Sequence, residues 1–125
     1  MTYEHRVAEQ TQRVALGTII GARSGDKGGN ANVGLWTRTD EEFAWLRGAI
    51  SVDRFKELVP EAAGLEVRRY ELANLRALNF VVVGLLGEGV AAATRPDPQA
   101  KGLAEYVRSR TADIPVALLE PRTRS

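Results

Sequence analysis

Cysteine is absent from this 125-residue chain, and a single histidine, His5, stands near its start. Without thiols there is no disulfide framework, no thiolate metal site and no cysteine nucleophile. A zinc centre would have to be mostly carboxylate, which is uncommon, so no metal site is expected. A Ser–His triad has only His5 to draw on, in a polar leading segment. Excess charge of one sign is also lacking: 17 Lys and Arg oppose 16 Asp and Glu, for a formal net charge of +1. No overall field recruits nucleic acid or an anionic membrane, and neither is expected as a partner. Long apolar runs are missing. The longest, Phe80 to Leu86, is interrupted by Gly84 and falls far short of the ~20 residues of a membrane span. Residues 1–12 have no apolar signal segment and read as a flexible arm. These absences fit a cytoplasmic protein. The remainder is one domain's worth of ordinary globular sequence, assigned to residues 13–120, with 121–125 as a tail.

Hydrophobic patterning gives the order of elements. Val14–Ile20, rich in β-branched residues and bounded by glycine, reads as a strand, and Asn32–Thr37 as a second. The two pair as a hairpin with a long tip between them. Thr39 caps a helix, with Glu42 at capping-box spacing and Phe43, Leu46 and Ile50 on one face. Ser51 caps a second helix carrying Val52, Phe55, Leu58 and Val59, which Pro60 stops. Leu65–Leu72 is a strand whose apolar face switches between Val67 and Tyr70, the mark of a bulge or of uneven cover. Ala73–Arg76 is a turn. Leu78–Leu86 reads as a central strand buried on both faces. Asp97 before Pro98 starts a helix lined by Ala100, Leu103, Ala104 and Val107, and Ile114–Leu119 adds an edge strand. Two helical stripes packed on one face of an antiparallel sheet of four or five strands make an α+β sandwich of ferredoxin-like type.

The densest chemistry lies between the first two strands. Arg23, Ser24, Gly25, Asp26, Lys27, Gly28, Gly29, Asn30 and Asn32 crowd cations, a carboxylate, a hydroxyl, amides and glycines into one stretch. Three readings stand. It is a hairpin tip whose glycines supply positive φ; or an anion pocket of backbone N–H groups with Arg23 and Lys27; or a docking surface. It is not a Walker A loop, because Gly28 and no hydroxyl follows Lys27. Gly84–Gly89 lacks the dinucleotide register and reads as a strand exit, with Glu88 placed near the first loop if the strand ends adjoin. Trp36 and Trp45 read as core and interface packing, with lining of a ligand cleft as the alternative, and Arg68–Arg69 as a solvated strand edge and not a recognition patch. Phe80 alone does not make the paired aromatics of an RNA-binding sheet.

The run Ala22–Gly34 resembles the signature of the C-terminal domain of AtuA-type proteins, the acyclic terpene utilisation family. The resemblance continues through Tyr70–Leu72, Leu75–Phe80, Leu86–Val90 and Arg95–Lys101, and spans Arg13 to Ile114. It implies a ferredoxin fold. In many members this domain follows a large N-terminal region, so the resemblance implies a free-standing version working beside a separate large AtuA-like protein. The family context is breakdown of acyclic terpenes and branched acids as coenzyme A thioesters, often near biotin-dependent acyl-CoA carboxylases. No catalytic residue transfers, and independent enzyme activity is not expected. The expectation is an accessory subunit whose glycine-rich loop binds an anion or docks, with no cofactor and a coenzyme A thioester as substrate. The alternative is a stand-alone homodimer that binds a small anionic metabolite.

Overall fold

A computed structural model describes residues 10–85 and 98–119, with the backbone alone at Lys27 and at residues 98–101. The described residues form six strands: β1 (Thr11–Ala15), β2 (Gly21–Lys27), β3 (Asn30–Trp36), β4 (Val67–Leu72), β5 (Ala77–Val82) and β6 (Thr111–Pro115). The helices are α1 (Asp40–Ala49), α2 (Val52–Leu58) and α3 (Pro98–Ser109), with a last helical turn over 116–119. Four strands form an antiparallel sheet in the order β2-β3-β5-β4, and β1 pairs with β6 as a separate ribbon. β3 and β4 each run antiparallel to β5, hence parallel to one another, and α1 and α2 connect them. That is the split βαβ unit of ferredoxin-like folds. The α+β class, the antiparallel sheet and its helical cover follow the sequence reading.

One face of the sheet carries the core. Ala31, Val33 and Leu35 of β3 alternate into it, as do Leu78, Phe80 and Val82 of β5, and all six are fully buried. Phe43 and Leu46 of α1, Phe55 and Leu58 of α2, and Leu103 and Val107 of α3 close over them in one cluster. At its centre Phe55 stacks on Phe80, ring centroids 4.4 Å apart and 10° from parallel. Ala112 and Ile114 of β6 join the same cluster, so the ribbon rests on the common core.

Local chemistry sets the helix starts. Thr39 Oγ1 accepts from the Glu42 N–H at 3.0 Å, while Glu42 Oε1 accepts from the Arg38 N–H, one residue earlier than a capping box requires. Ser51 Oγ accepts from the Arg54 N–H. Two arginines bind ends of other elements to the sheet side. Arg69 of β4 donates to the carbonyls of Arg47 and Ile50 at the end of α1, and Arg108 of α3 to those of Gly17 and Ile20. Such carbonyls have no partner within their own segment, and a guanidinium fork satisfies two at once.

The structure corrects several expectations. The first strand ends at Ala15, continues as a 3-10 turn over Leu16–Thr18, and pairs with β6 and not with Asn32–Thr37. Thr11 and Gln12 belong to it, inside the segment read as an arm. The stretch read as a long hairpin tip is itself a strand: Gly21–Lys27 pairs with Asn30–Trp36, leaving Gly28 and Gly29 as the whole turn. Both have positive φ, +61° and +93°, which a two-residue type I′ turn demands. β4 has no offset in its pairing with β5; its apolar residues switch faces because Tyr70 and Leu72 lie away from the helices. β5 is central but covered on one face, since Ala77, Asn79 and Val81 are only half buried. The last strand is Thr111–Pro115, joined to β1 outside the main sheet, and 116–119 turns helical. Asp97, Glu88 and His5 lie outside the described residues.

Phe80→Ala removes the central ring and its stacked partner contact. It should cost about 3–5 kcal/mol in a urea denaturation, with the far-UV spectrum retained. A loss below about 1 kcal/mol would place the centre of the core elsewhere.

Candidate functional site

Among the described residues no helix packs on the other face of the sheet, hence the uncovered face. The register sets three rows across it: Gly21–Trp36–Ala77–Leu72, then Arg23–Gly34–Asn79–Tyr70, then Gly25–Asn32–Val81–Arg68. Neighbours within a row sit about 4.5–5.5 Å apart at their Cβ positions. Small residues occupy the middle of this surface, and a concavity of about 500 Å³ opens there. Gly25, Gly34 and Ala77 line it, with Arg23, Asn32, Asn79, Trp36 and Leu75, and with Ser24 and Asp26 on the edge strand.

Two apolar walls are held in place by identifiable contacts. Trp36 lies across Gly21, where an added Cβ would stand 2.3 Å from the ring's Cε2. Glycine at position 21 is therefore what lets the indole lie flat. Leu75 sits on the 3-10 turn between β4 and β5 and is 66% exposed. That turn is locked by Arg76, the described non-glycine residue with positive φ (52°). Its carbonyl accepts from the Thr37 N–H at 3.0 Å, and its guanidinium reaches Asp40 at 2.8 Å.

The polar groups have open valences. Arg23 makes no ion pair among the described residues, and neither Asn32 nor Asn79 has a side-chain hydrogen bond there. Arg68, in the far row, is different. Its Nε donates to Glu66 Oε2 at 2.7 Å, and this bond and the attending charge attraction hold the Glu66 carboxyl below its ordinary pKa and raise that of Arg68. Both groups are exposed, so the pair adds little to stability. It does keep the Arg68 guanidinium on its own carboxylate.

The residues singled out in sequence are divided by this geometry. Arg23, Gly25 and Asn32 share the uncovered face, with Ser24 and Asp26 at the rim of the concavity. Ser24 Oγ accepts from the Ala104 N–H at 2.9 Å, which fastens α3 to β2. Asn30 Oδ1 accepts from the Gly84 N–H at 2.8 Å, fixing the turn after β5. Gly28 and Gly29 make the hairpin turn and neither lines the concavity; Lys27 beside them is described by its backbone alone. Trp36 is a correction: it is 38% exposed and walls the site, whereas Trp45 packs partly buried against the core. Arg69 is also a correction to the solvated-edge reading, being engaged on the end of α1. Sequence reading passed over Asn79, Ala77 and Leu75. Their signal was parity: the alternate positions Asn32, Gly34 and Ala77, Asn79 are small or polar where Val33, Leu35, Leu78 and Phe80 beside them are apolar.

Among the described residues no three His, Asp or Glu side chains cluster as metal ligands, and no helix is long and apolar enough to cross a membrane. Gly21→Ala should push the Trp36 ring off the sheet at a cost of about 1–3 kcal/mol. In a Trp45→Phe background the remaining tryptophan emission should shift to the red. An unchanged spectrum would show that the ring does not depend on Gly21.

Neither a curated protein nor a solved structure matches the chain significantly. A family model does, over residues 14–113, which takes in the uncovered sheet, the helices behind it and half of the ribbon. The chain belongs to the AtuA ferredoxin-like domain family.

Proposed function

We propose that the uncovered sheet face binds a small branched carboxylate or its coenzyme A thioester, and that the domain does so as accessory partner of a large AtuA-like protein in acyclic terpene or branched-acid breakdown. The observation that carries this is the pair Gly25 and Gly34. Neither has a positive φ; an added Cβ at Gly25 meets nothing within 4 Å, and one at Gly34 would stand 3.7 Å from Asn79 Oδ1. Glycine within a strand costs about 0.5–1 kcal/mol relative to alanine. With no conformational need and no crowding to justify it, glycine here leaves a floor on which another molecule can lie close to the backbone.

The groups around that floor match a branched acid. Arg23 supplies a charge-assisted donor to a carboxylate, and the Asn32 and Asn79 carboxamides donate to its oxygens or to a thioester carbonyl. Trp36 and Leu75 supply apolar contact for the chain. The donors in this reading are side chains on the sheet and not the backbone of Gly28 and Gly29. Trp36, Tyr70, Leu72 and Leu75 are the large apolar side chains exposed around this face. A surface of that kind is ordinarily covered by a partner, and a ligand seated on it would be enclosed at the seam.

Gly34→Val tests the reading, because an added Cβ meets only ordinary contacts, the position faces the concavity and a β-branched residue suits a strand. Its melting temperature should equal or exceed that of the parent. Calorimetric titration with 3-methylbut-2-enoate and its coenzyme A thioester should show binding to the parent and at least about tenfold weaker binding to the variant. Equal affinity in the two, or no binding to the parent with or without the large partner, would sink the proposal. Sedimentation of the domain alone separates the homodimeric alternative.

A further inference from the structure

A second polar cleft, of about 430 Å³, lies away from the uncovered sheet, where the β1–β6 ribbon meets α2 and the end of α3. Three arginines from three separate stretches line it: Arg13 from β1, Arg54 from α2 and Arg110 just beyond α3. Tyr106, Ser109 and Thr111 contribute an aromatic ring and two hydroxyls. We propose that this cleft is a binding site for a phosphoryl group.

The charges do not balance. Arg13 reaches Asp113 at 3.4 Å and donates to Thr111 Oγ1 at 3.1 Å, and Arg54 donates to Glu57 at 2.8 Å. Arg110 has no carboxylate partner among the described residues. Its guanidinium lies over the Tyr106 ring, Cζ 5.5 Å from the centroid, and its Nε is buried without a hydrogen-bond acceptor. A buried N–H left without an acceptor is costly, and a ring face replaces that acceptor poorly. Three cations face two carboxylates, so an anion entering the cleft meets net positive charge.

The shape of the donor set selects among anions. Arg13 engages Nε with Asp113 and Nη1 with Thr111, and Arg54 engages Nη1 with Glu57, so each guanidinium keeps further N–H groups. Donors arriving from a strand, a helix and a helix end converge from different directions. A flat carboxylate accepts from one fork in its own plane, whereas a tetrahedral dianion accepts from several planes at once. Inorganic phosphate and a phosphate monoester share that chemistry.

The test is titration of the whole chain with inorganic phosphate, read from the arginine Nε–H signals in ¹H–¹⁵N spectra, with sodium chloride at matched ionic strength as control. Saturable movement of the Arg110 signal is expected with phosphate and not with chloride. Arg54→Gln, at a half-buried position of α2, and Arg110→Gln should each weaken phosphate binding about tenfold or more. Adenosine monophosphate in a parallel titration identifies the source: tighter binding than phosphate marks a monoester ligand, weaker binding marks free phosphate. A response equal to that of chloride, or phosphate affinity unchanged in Arg54→Gln, overturns the proposal. Arg23→Gln, on the uncovered sheet, should leave phosphate binding at this cleft unaltered, which keeps this test independent of the function proposed for that face.

Discussion

The two-residue turn at Gly28 and Gly29 fixes the arrangement of everything on the sheet. With Lys27 opposite Asn30, the whole β2–β3 register follows, down to Gly21 opposite Trp36. A slip of one residue would exchange the faces of β3, sending Ala31, Val33 and Leu35 to solvent and Asn32, Gly34 and Trp36 into the helices. The core forbids that, and the turn makes the permitted register easy to reach, because two glycines adopt positive φ without strain. Position on the candidate site is thus a by-product of core burial. Arg23, Gly25, Asn32 and Gly34 share a face because their neighbours are apolar.

Stability is concentrated on the helical side. There the sheet contributes Leu78, Phe80 and Val82, the helices contribute Phe55, Leu46 and Val107, and the ends of segments are tied by Arg69 and Arg108. The two arginines act alike. Each extends from a regular element, reaches two carbonyls of a neighbouring segment end, and converts an unsatisfied terminus into a crosslink. Arg108 also lies against Gly17, where an added Cβ would stand 3.1 Å from the guanidinium. The uncovered face carries none of this fastening across its middle. Its central residues are small or have open hydrogen-bonding valences, so they can meet another molecule without first breaking an internal contact.

The element order was legible because it rests on local signals. Thr39 and Ser51 cap helices through single hydrogen bonds that sequence spacing displays, and the stripe Phe55, Leu58 marks the buried side of α2 without reference to the rest of the chain. The misreadings are of another kind. Gly21–Lys27 has no apolar alternation, since it is an edge strand with glycine and charge on its open side, and it looked like a loop. Val14–Ile20 carries β-branched residues, yet pairing with Thr111–Pro115 is a contact across nearly the whole chain that no local pattern displays. Leu78–Val83 looks continuous because Val81 and Val83, at the parity of the half-buried positions, are apolar, and they hid the alternation. Asn79 went unnoticed for the same reason: a lone carboxamide in an apolar run becomes informative only when Gly34 is found beside it.

Glycine content gives the clearest distinction between fold and site. Gly28 and Gly29 are required by the turn, and Gly21 by the indole lying on it; each has a structural cause that can be stated as an angle or a distance. Gly25 and Gly34 have no such cause. Substituting a larger residue at either would not strain the backbone, and β propensity alone would favour it. A chain selected only to fold would gain from filling both positions. Their emptiness, beside an arginine without an ion pair and two carboxamides without a side-chain hydrogen bond among the described residues, is therefore the part of the hairpin that folding does not explain and that the proposed ligand would occupy.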